Sequence, residues 1–354
     1  MGLLKSTLKV GASVSLAGLI GLPAAGAIYQ ASAQAKDQER YSPPGELFDV
    51  DGSQMHLLCV GEGAPTVVLE SGLLNGVHAW KAVQPSISQT TQTCAYDRAG
   101  LGYSEPVDAP VQAEQVAQRL HKLLNAAGIE GDLVLVGASI GGLHVRQFAH
   151  QYPARVRGMV LVDSSHEQQV QRFGETETKG PNPILKAATF LAPIGVLRLS
   201  GFVEKKMEGS GLAGQELEQA IAMQSQTHIP GAMSREYMSA KLDLEANAPP
   251  PSLGDIPLIV LTQGLPLAEE EDYDPLDLEE IEEDKRERPI WNQLDLELAQ
   301  LSSQGTQVFA MKSTHNIAEM QPELVISSIE SVVETVRDAD RIPVEEVGLS
   351  TEKE

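Results

Sequence analysis

Leu133-Val134-Leu135-Val136-Gly137-Ala138-Ser139-Ile140-Gly141-Gly142-Leu143 is the stretch that decides the architecture. Four consecutive apolar residues read as a strand buried on both faces, which is how strands of a parallel sheet look. A serine between two glycines follows at once, and apolar residues from Ile140 onward begin a helix that stops before Pro153. Gly-x-Ser-x-Gly between a strand and a helix forms a nucleophile elbow. The tight turn crowds the backbone, small residues at 137 and 141 permit close approach, and the Ser139 hydroxyl projects from the sheet edge. The amide of Ile140, at the start of the helix, can face negative charge developing on a substrate oxygen. An ordinary helix-capping serine would need neither glycine.

Outward from this point the chain alternates strand and helix. Leu47 to Val60 reads as a hairpin around Asp51-Gly52, and Thr66-Val67-Val68-Leu69-Glu70 as a buried strand running into Ser71-Gly72-Leu73-Leu74. Thr93 to Tyr96 is a further short strand. Ala113, Val116, Ala117, Leu120, Leu123, Leu124 and Ala127 recur at helical spacing before the stop at Gly128. Met159 to Val162 forms a strand ending at Asp163. The alternation breaks near residue 167 and resumes at Ile256 to Leu261, so 167–250 reads as an inserted helical cap and not an independent domain. A helix with Trp291, Leu294, Leu298 and Leu301 on one side, a strand at Val308 to Met311 and a helix carrying Val325, Ile329, Val332, Val333 and Val336 complete the core. The resulting division is 1–35 targeting segment, 36–166 first core part, 167–250 cap, 251–340 second core part and 341–354 polar tail.

A serine hydroxyl needs a base, and His315, after the last strand in Ser313-Thr314-His315-Asn316, falls where a loop can reach over the sheet. His144 sits in the first turns after the elbow, where packing explains it. His166 and the apolar residues around Leu74 and Trp80 read as pocket walls. Two positions compete for the orienting acid: Asp163 at its strand end, and the carboxylates Glu269, Glu270, Glu271 and Asp272 after the next strand. Stabilising an oxyanion takes two converging amides, and Leu73 supplies the second beside Ile140.

Lys plus Arg number 26 and Asp plus Glu 49, a net charge of -23 with a pI near 4.7, which excludes a broad nucleic-acid footprint. Residues 269–287 hold 12 of those acids, a solvated loop that disfavours anionic substrates and has no calcium-loop spacing. Lys5 and Lys9 precede Val10 to Ile28, a run without charge, and Ala31-Ser32-Ala33 and Ala33-Gln34-Ala35 follow. This pattern reads as a cleaved signal peptide or a retained membrane anchor through residues 10–28, and either exports the folded part. The two cysteines, Cys59 and Cys94, are read as buried thiols or, in an oxidising compartment, as a disulfide. Oligomeric state stays open.

Between Tyr41 and Val336 the chain resembles the α/β-hydrolase superfamily, an exported bacterial branch with a large cap. The resemblance rests on Leu69-Glu70-Ser71-Gly72-Leu73, Tyr96-Asp97-Arg98-Ala99-Gly100-Leu101-Gly102-Tyr103-Ser104, the Ser139 elbow, Leu161-Val162-Asp163-Ser164-Ser165-His166 and Ser313-Thr314-His315. It implies a mostly parallel eight-stranded sheet with an inserted cap. It also implies hydrolysis of a small-molecule carboxylic ester through a serine acyl-enzyme, without metal or organic cofactor. The implied sheet order sets Cys59 and Cys94 on neighbouring strands, and Arg98 resembles a residue that supports the loop under the site. Many relatives carry His at the positions of Ala138 and Ser71 and Leu or Met at that of Ile140, which alters the wall behind the nucleophile and the oxyanion loop.

Overall fold

Asp51 and Gly52, both at positive φ (56° and 83°), close the hairpin of β1 (Glu46–Val50) and β2 (Ser53–Val60), the turn that right-twisted strands favour. The computed structural model describes residues 2–174, 183–207, 212–246, 248–264 and 278–341. After α1 (Gly2–Arg40) and the hairpin, the chain runs through β3 (Thr66–Glu70), α2 (Gln84–Ile87), β4 (Thr93–Tyr96), α3 (Ala113–Ala126), β5 (Leu133–Ala138), α4 (Ile140–Gln151) and β6 (Val156–Val162). The insertion carries α5 (Gln169–Arg172), α6 (Pro183–Leu191), α7 (Val196–Leu199), α8 (Phe202–Met207), α9 (Gly214–Gln224) and α10 (Ile229–Glu245). Then follow β7 (Leu258–Gln263), α11 (Leu278–Ala299), β8 (Gly305–Ala310), α12 (Ile317–Met320) and α13 (Pro322–Arg341).

The strands form one eight-stranded sheet in the order β1-β2-β4-β3-β5-β6-β7-β8, with β1 and β2 antiparallel to their neighbours and the rest parallel. The two-sided burial read from 133–136 has a direct cause. Leu133 and Leu135 point to the face covered by Leu120, Leu123, Phe148 and Leu298, while Val134 and Val136 point to the face covered by Trp80, Ile87, Ile329 and Val333. Because side chains alternate along a strand, a strand covered on both sides must be apolar at every position. The cap is spliced between β6 and β7, which are adjacent and parallel, so it emerges beside the C-terminal ends of the strands.

Two readings are sharpened here. Cys59 and Cys94 lie opposite each other on β2 and β4 and form a disulfide. Residues 1–35 are not detached from the fold: Gln30 of α1 is buried and donates to the Ser225 carbonyl at 2.8 Å, and just beyond them Asp37 pairs with Arg198 of α7 at 2.7 Å. Thr227 N donates to Gln34, and Arg40 meets Glu218 of α9. The side chains of residues 1–20 lie outside the described residues, as does most of the polar tail. Among the described residues no helix is long and apolar enough to cross a membrane.

The bridge ties the hairpin edge to the parallel sheet. Replacing Cys59 and Cys94 together by serine is expected to cost about 2–4 kcal/mol in urea unfolding. Intact-mass measurement of the unfolded wild type should show two alkylated thiols only after reduction; alkylation without reduction would contradict the bridge.

Candidate active site

Ser139 occupies φ 52° and ψ -125°, a conformation an L residue adopts only when its surroundings enforce it. The enforcement is local. Ser139 N donates to Val162 O at 3.0 Å on the neighbouring strand, and Ser165 N and Gly142 N donate back to Ser139 O at 2.9 and 3.0 Å. A Cβ on Gly137 would lie 2.6 Å from Gly141 O, and one on Gly141 would lie 2.6 Å from the carbonyl oxygens of Glu70 and Ser71. These approaches explain why small residues flank the serine.

One strand over, Asp163 also takes a positive φ (43°), and its amide donates to Leu261 O of β7 at 2.7 Å. One carboxylate oxygen accepts from Gln263 N at 2.9 Å and the other meets His315 Nδ1 at 2.6 Å. The opposite ring nitrogen, Nε2, lies 3.1 Å from Ser139 Oγ. Asp163 is buried and the His315 side chain is half exposed, so the acid is fixed in the protein while the imidazole faces outward. The hydrogen bond to Asp163 raises the His315 pKa above the ordinary value, and partial desolvation opposes it without cancelling it. Of the competing acids, Asp163 is thus the one against the histidine; Glu269, Glu270, Glu271 and Asp272 lie outside the described residues.

The loop after β3 turns over the serine. A Cβ on Gly72 would come within 3.4 Å of Ser139 Cβ, Asn75 N donates to Gly72 O, and Leu74 sits at φ 61°. Leu73 packs against Ile140 and Leu143 in one cluster with Ala240 of the cap. The two candidate oxyanion residues therefore share an apolar contact that continues into α10.

Arg98 holds that loop from below. Its guanidinium donates to Ser71 O at 2.8 Å and Gly72 O at 2.7 Å and pairs with Glu70 and with Glu236 of α10. Tyr96 donates to Glu70, and His144 Nδ1 lies 3.4 Å from it. Burial alone would raise the Glu70 pKa, but Arg98 and His144 outweigh it and hold the carboxyl below its usual range. Arg98 is raised in turn by Glu236 and Glu70 against the desolvation that opposes its charge.

Two of the expected pocket residues are corrected. Trp80 is fully buried in the apolar cluster with Val83 and Ile87 and is a core residue, because its helical turn packs the indole under the sheet. His166 is buried as well: Nδ1 accepts from Gln168 N at 3.0 Å, Nε2 faces Glu297 at 3.8 Å, and burial lowers its pKa. It braces the loop after Asp163. Two polar partners were missed. Arg146, fully buried on α4, donates to Ser164 Oγ at 2.8 Å and Ser165 O at 2.8 Å and pairs with Glu167, anchoring the same loop. Asp295 of α11 is fully buried, and desolvation and then the Asp163 charge push its carboxyl well up. Its signal was an acid on the apolar face of Trp291, Leu294 and Leu298. Among the described residues no group of three or more His, Cys, Asp or Glu is placed to hold a metal ion.

A family model for the alpha/beta hydrolase fold matches residues 65–178. An uncharacterised protein of Schizosaccharomyces pombe is 28% identical over 193 residues, 46% of this chain and 35% of that protein. An AB hydrolase superfamily protein of Gibberella zeae is 26% identical over 294 residues, 77% of this chain and 87% of that one. The chain spans about a third to a half of the first two curated relatives, with 49% of an uncharacterised Bacillus subtilis protein covered. Among solved structures, a putative epoxide hydrolase from Pseudomonas aeruginosa superposes with a TM-score of 0.59 at 18% identity, covering 83% of this chain and 97% of that one. A thermophilic esterase from Thermogutta terrifontis gives 0.50 at 20% identity, covering 82% and 98%. The chain has the α/β-hydrolase fold with a helical cap. Likenesses at this identity speak for the fold, and the chemistry rests on the side chains.

Two outcomes follow from the site. The acid limb of a kcat/KM profile should fall above the ordinary histidine value of about 6.5. Asp163→Asn removes the partner that favours the imidazolium, so it should move that limb to lower pH and cut the plateau by more than about 100-fold. Glu236→Ala leaves a buried guanidinium with one carboxylate fewer, which should destabilise the fold by about 3 kcal/mol in urea unfolding and lower kcat through the displaced Ser71-Gly72 segment.

Proposed function

We propose that this protein is a serine hydrolase cleaving a carboxylic ester of a small molecule. The observation that carries the reading is the single imidazole of His315 between Ser139 Oγ and Asp163. In this mechanism His315 Nε2 takes the Ser139 proton as the oxygen attacks the ester carbonyl, Asp163 stabilises the imidazolium, and the amides of Leu73 and Ile140 receive the oxyanion. The imidazolium protonates the leaving alcohol; water, deprotonated by His315, then releases the acid and restores Ser139. The apolar wall of Leu73, Ile140, Leu143 and Ala240 supports an acyl or aryl group on the substrate.

The same nucleophile and base also suit thioesters, amides and activated carbon-carbon bonds, since a fold does not select among them. Epoxide opening through an ester intermediate is disfavoured, because the elbow carries a hydroxyl and not a carboxylate. The export pattern of residues 1–35 and the Cys59–Cys94 bridge support a location outside the cytoplasm, where disulfides persist. A protein that only binds its ligand is the remaining alternative.

A fluorophosphonate probe is expected to label the wild type at Ser139 and leave Ser139→Ala unlabelled. An ester panel of graded acyl length should show turnover that Ser139→Ala loses by at least about four orders of magnitude. Equal turnover in the variant would defeat the assignment, and folded wild type refusing the probe would favour binding alone.

A further inference from the structure

Residues 1–35 and 183–203 contain none of the 49 acidic residues, and neither do the sheet-core segments 71–96 and 133–162. The first two stretches are far apart in sequence and in contact in the fold. A Cβ on Gly26 of α1 would lie 2.2 Å from Ile194 O, and one on Gly195 would lie 2.9 Å from Gly26 O and 3.4 Å from the Tyr29 ring, so helix and cap loop meet with no side chain between them. Around that contact the protein exposes an unusual set of large apolar side chains. Leu22 and Ile28 on α1 are 77% and 72% exposed, and Phe190 and Leu199 on the cap are 72% and 62% exposed. Phe202 adds to them, and Ala187, Leu191, Val196, Leu197 and Phe202 line an open groove of about 420 Å³ between α6, α7 and α8. The bases in the cap stretch are Lys186 and Arg198, of which Arg198 is paired with Asp37.

Large exposed apolar surface marks an interaction site. What occupies it is indicated by its continuation: α1 runs from the cap contact directly into the uncharged run that begins at Val10. We infer that the face formed by α6 to α8 and residues 21–30 of α1 docks on the surface of a lipid bilayer, with α1 retained and leading into it. The charge distribution fits this occupant. An anionic or zwitterionic bilayer meets a face of a -23 protein with few carboxylates, Asp37 being paired with Arg198 and Glu204 followed on α8 by Lys205 and Lys206. Phe190, Leu199 and Phe202 would then sit at the headgroup level, as apolar faces of interfacial helices do. Because the cap also contacts the candidate oxyanion loop through Ala240, the docked face sets the cap, and with it the approach to the site, against the membrane.

The test uses the full chain in phosphatidylcholine vesicles. Cys59 and Cys94 are joined, so a cysteine introduced at Leu199 (L199C) is the only free thiol and takes an environment-sensitive fluorophore. Thr335→Cys serves as the reference. It lies on α13 close to Arg337, which bonds Ala64 O and Thr90 O at the opposite end of the sheet. Brominated lipid is expected to quench the Leu199 probe strongly and the Thr335 probe little. Phe190→Glu with Phe202→Glu should reduce that quenching by about tenfold while fluorophosphonate labelling of Ser139 reports an intact fold. Equal quenching at both positions, or none at Leu199, overturns the proposal. So does a mature chain that begins after Gln30, or a fluorescence change without lipid that grows with protein concentration, which would assign the face to a second copy.

Discussion

Two adjacent parallel strands, β5 and β6, each end in a residue forced into the left-handed region, and everything in the candidate site depends on that pair of turns. Ser139 and Asp163 are held by hydrogen bonds to the next strand along, Ser139 N to Val162 O and Asp163 N to Leu261 O. The ladder therefore continues through the residues that leave the sheet. A hydroxyl and a carboxylate on neighbouring strands then project from the same edge, at a separation one imidazole can span. The conformational cost, of order 1–3 kcal/mol per residue, is sustained because residues 133–137 of β5 and 158–162 of β6 beneath are buried.

A second layer of control lies in the buried charges. Arg98 ties Glu70 of the core to Glu236 of the cap and, with the same guanidinium, holds the carbonyls of Ser71 and Gly72. Such a group is not there chiefly for stability, since ion pairs removed from water gain little over apolar packing. Its value is geometric: five donors in a rigid plane fix the backbone at Ser71 and Gly72, where a Cβ on Gly72 would lie 3.4 Å from Ser139 Cβ. Arg146 does the corresponding work for the loop after Asp163. Asp295 adds a second buried acid near the first, and desolvation and then the Asp163 charge push its carboxyl well up.

The site was legible where chemistry is local to a motif or a strand end. Gly137 to Gly142 carries its own steric reason, and Asp163 and His315 were found because each follows a short apolar run that had to be a strand. The choice between Asp163 and the later carboxylates needed three dimensions, because a side chain's reach to His315 is not a spacing. Trp80 and His166 were misread for the same reason: an apolar or imidazole side chain beside a functional loop has two faces open to it, and here each turned inward to packing partners. Glu236 and Arg146 belong to pairs separated by 138 and 21 residues, which no periodicity links.

The targeting segment shows how the two levels of reading correct each other. As sequence, residues 1–35 are separable, an apolar run with small-residue patterns where a peptidase cuts. As structure, cleavage after Ala33 would remove Gln30 from its buried bond to Ser225, and cleavage after Ala35 would also remove Gln34 from Thr227, leaving polar backbone groups in the cap without those partners. A bond to a buried group is costly to lose, because the remaining partner stays desolvated. The contacts tie the cap's geometry to residues 30–40 of α1.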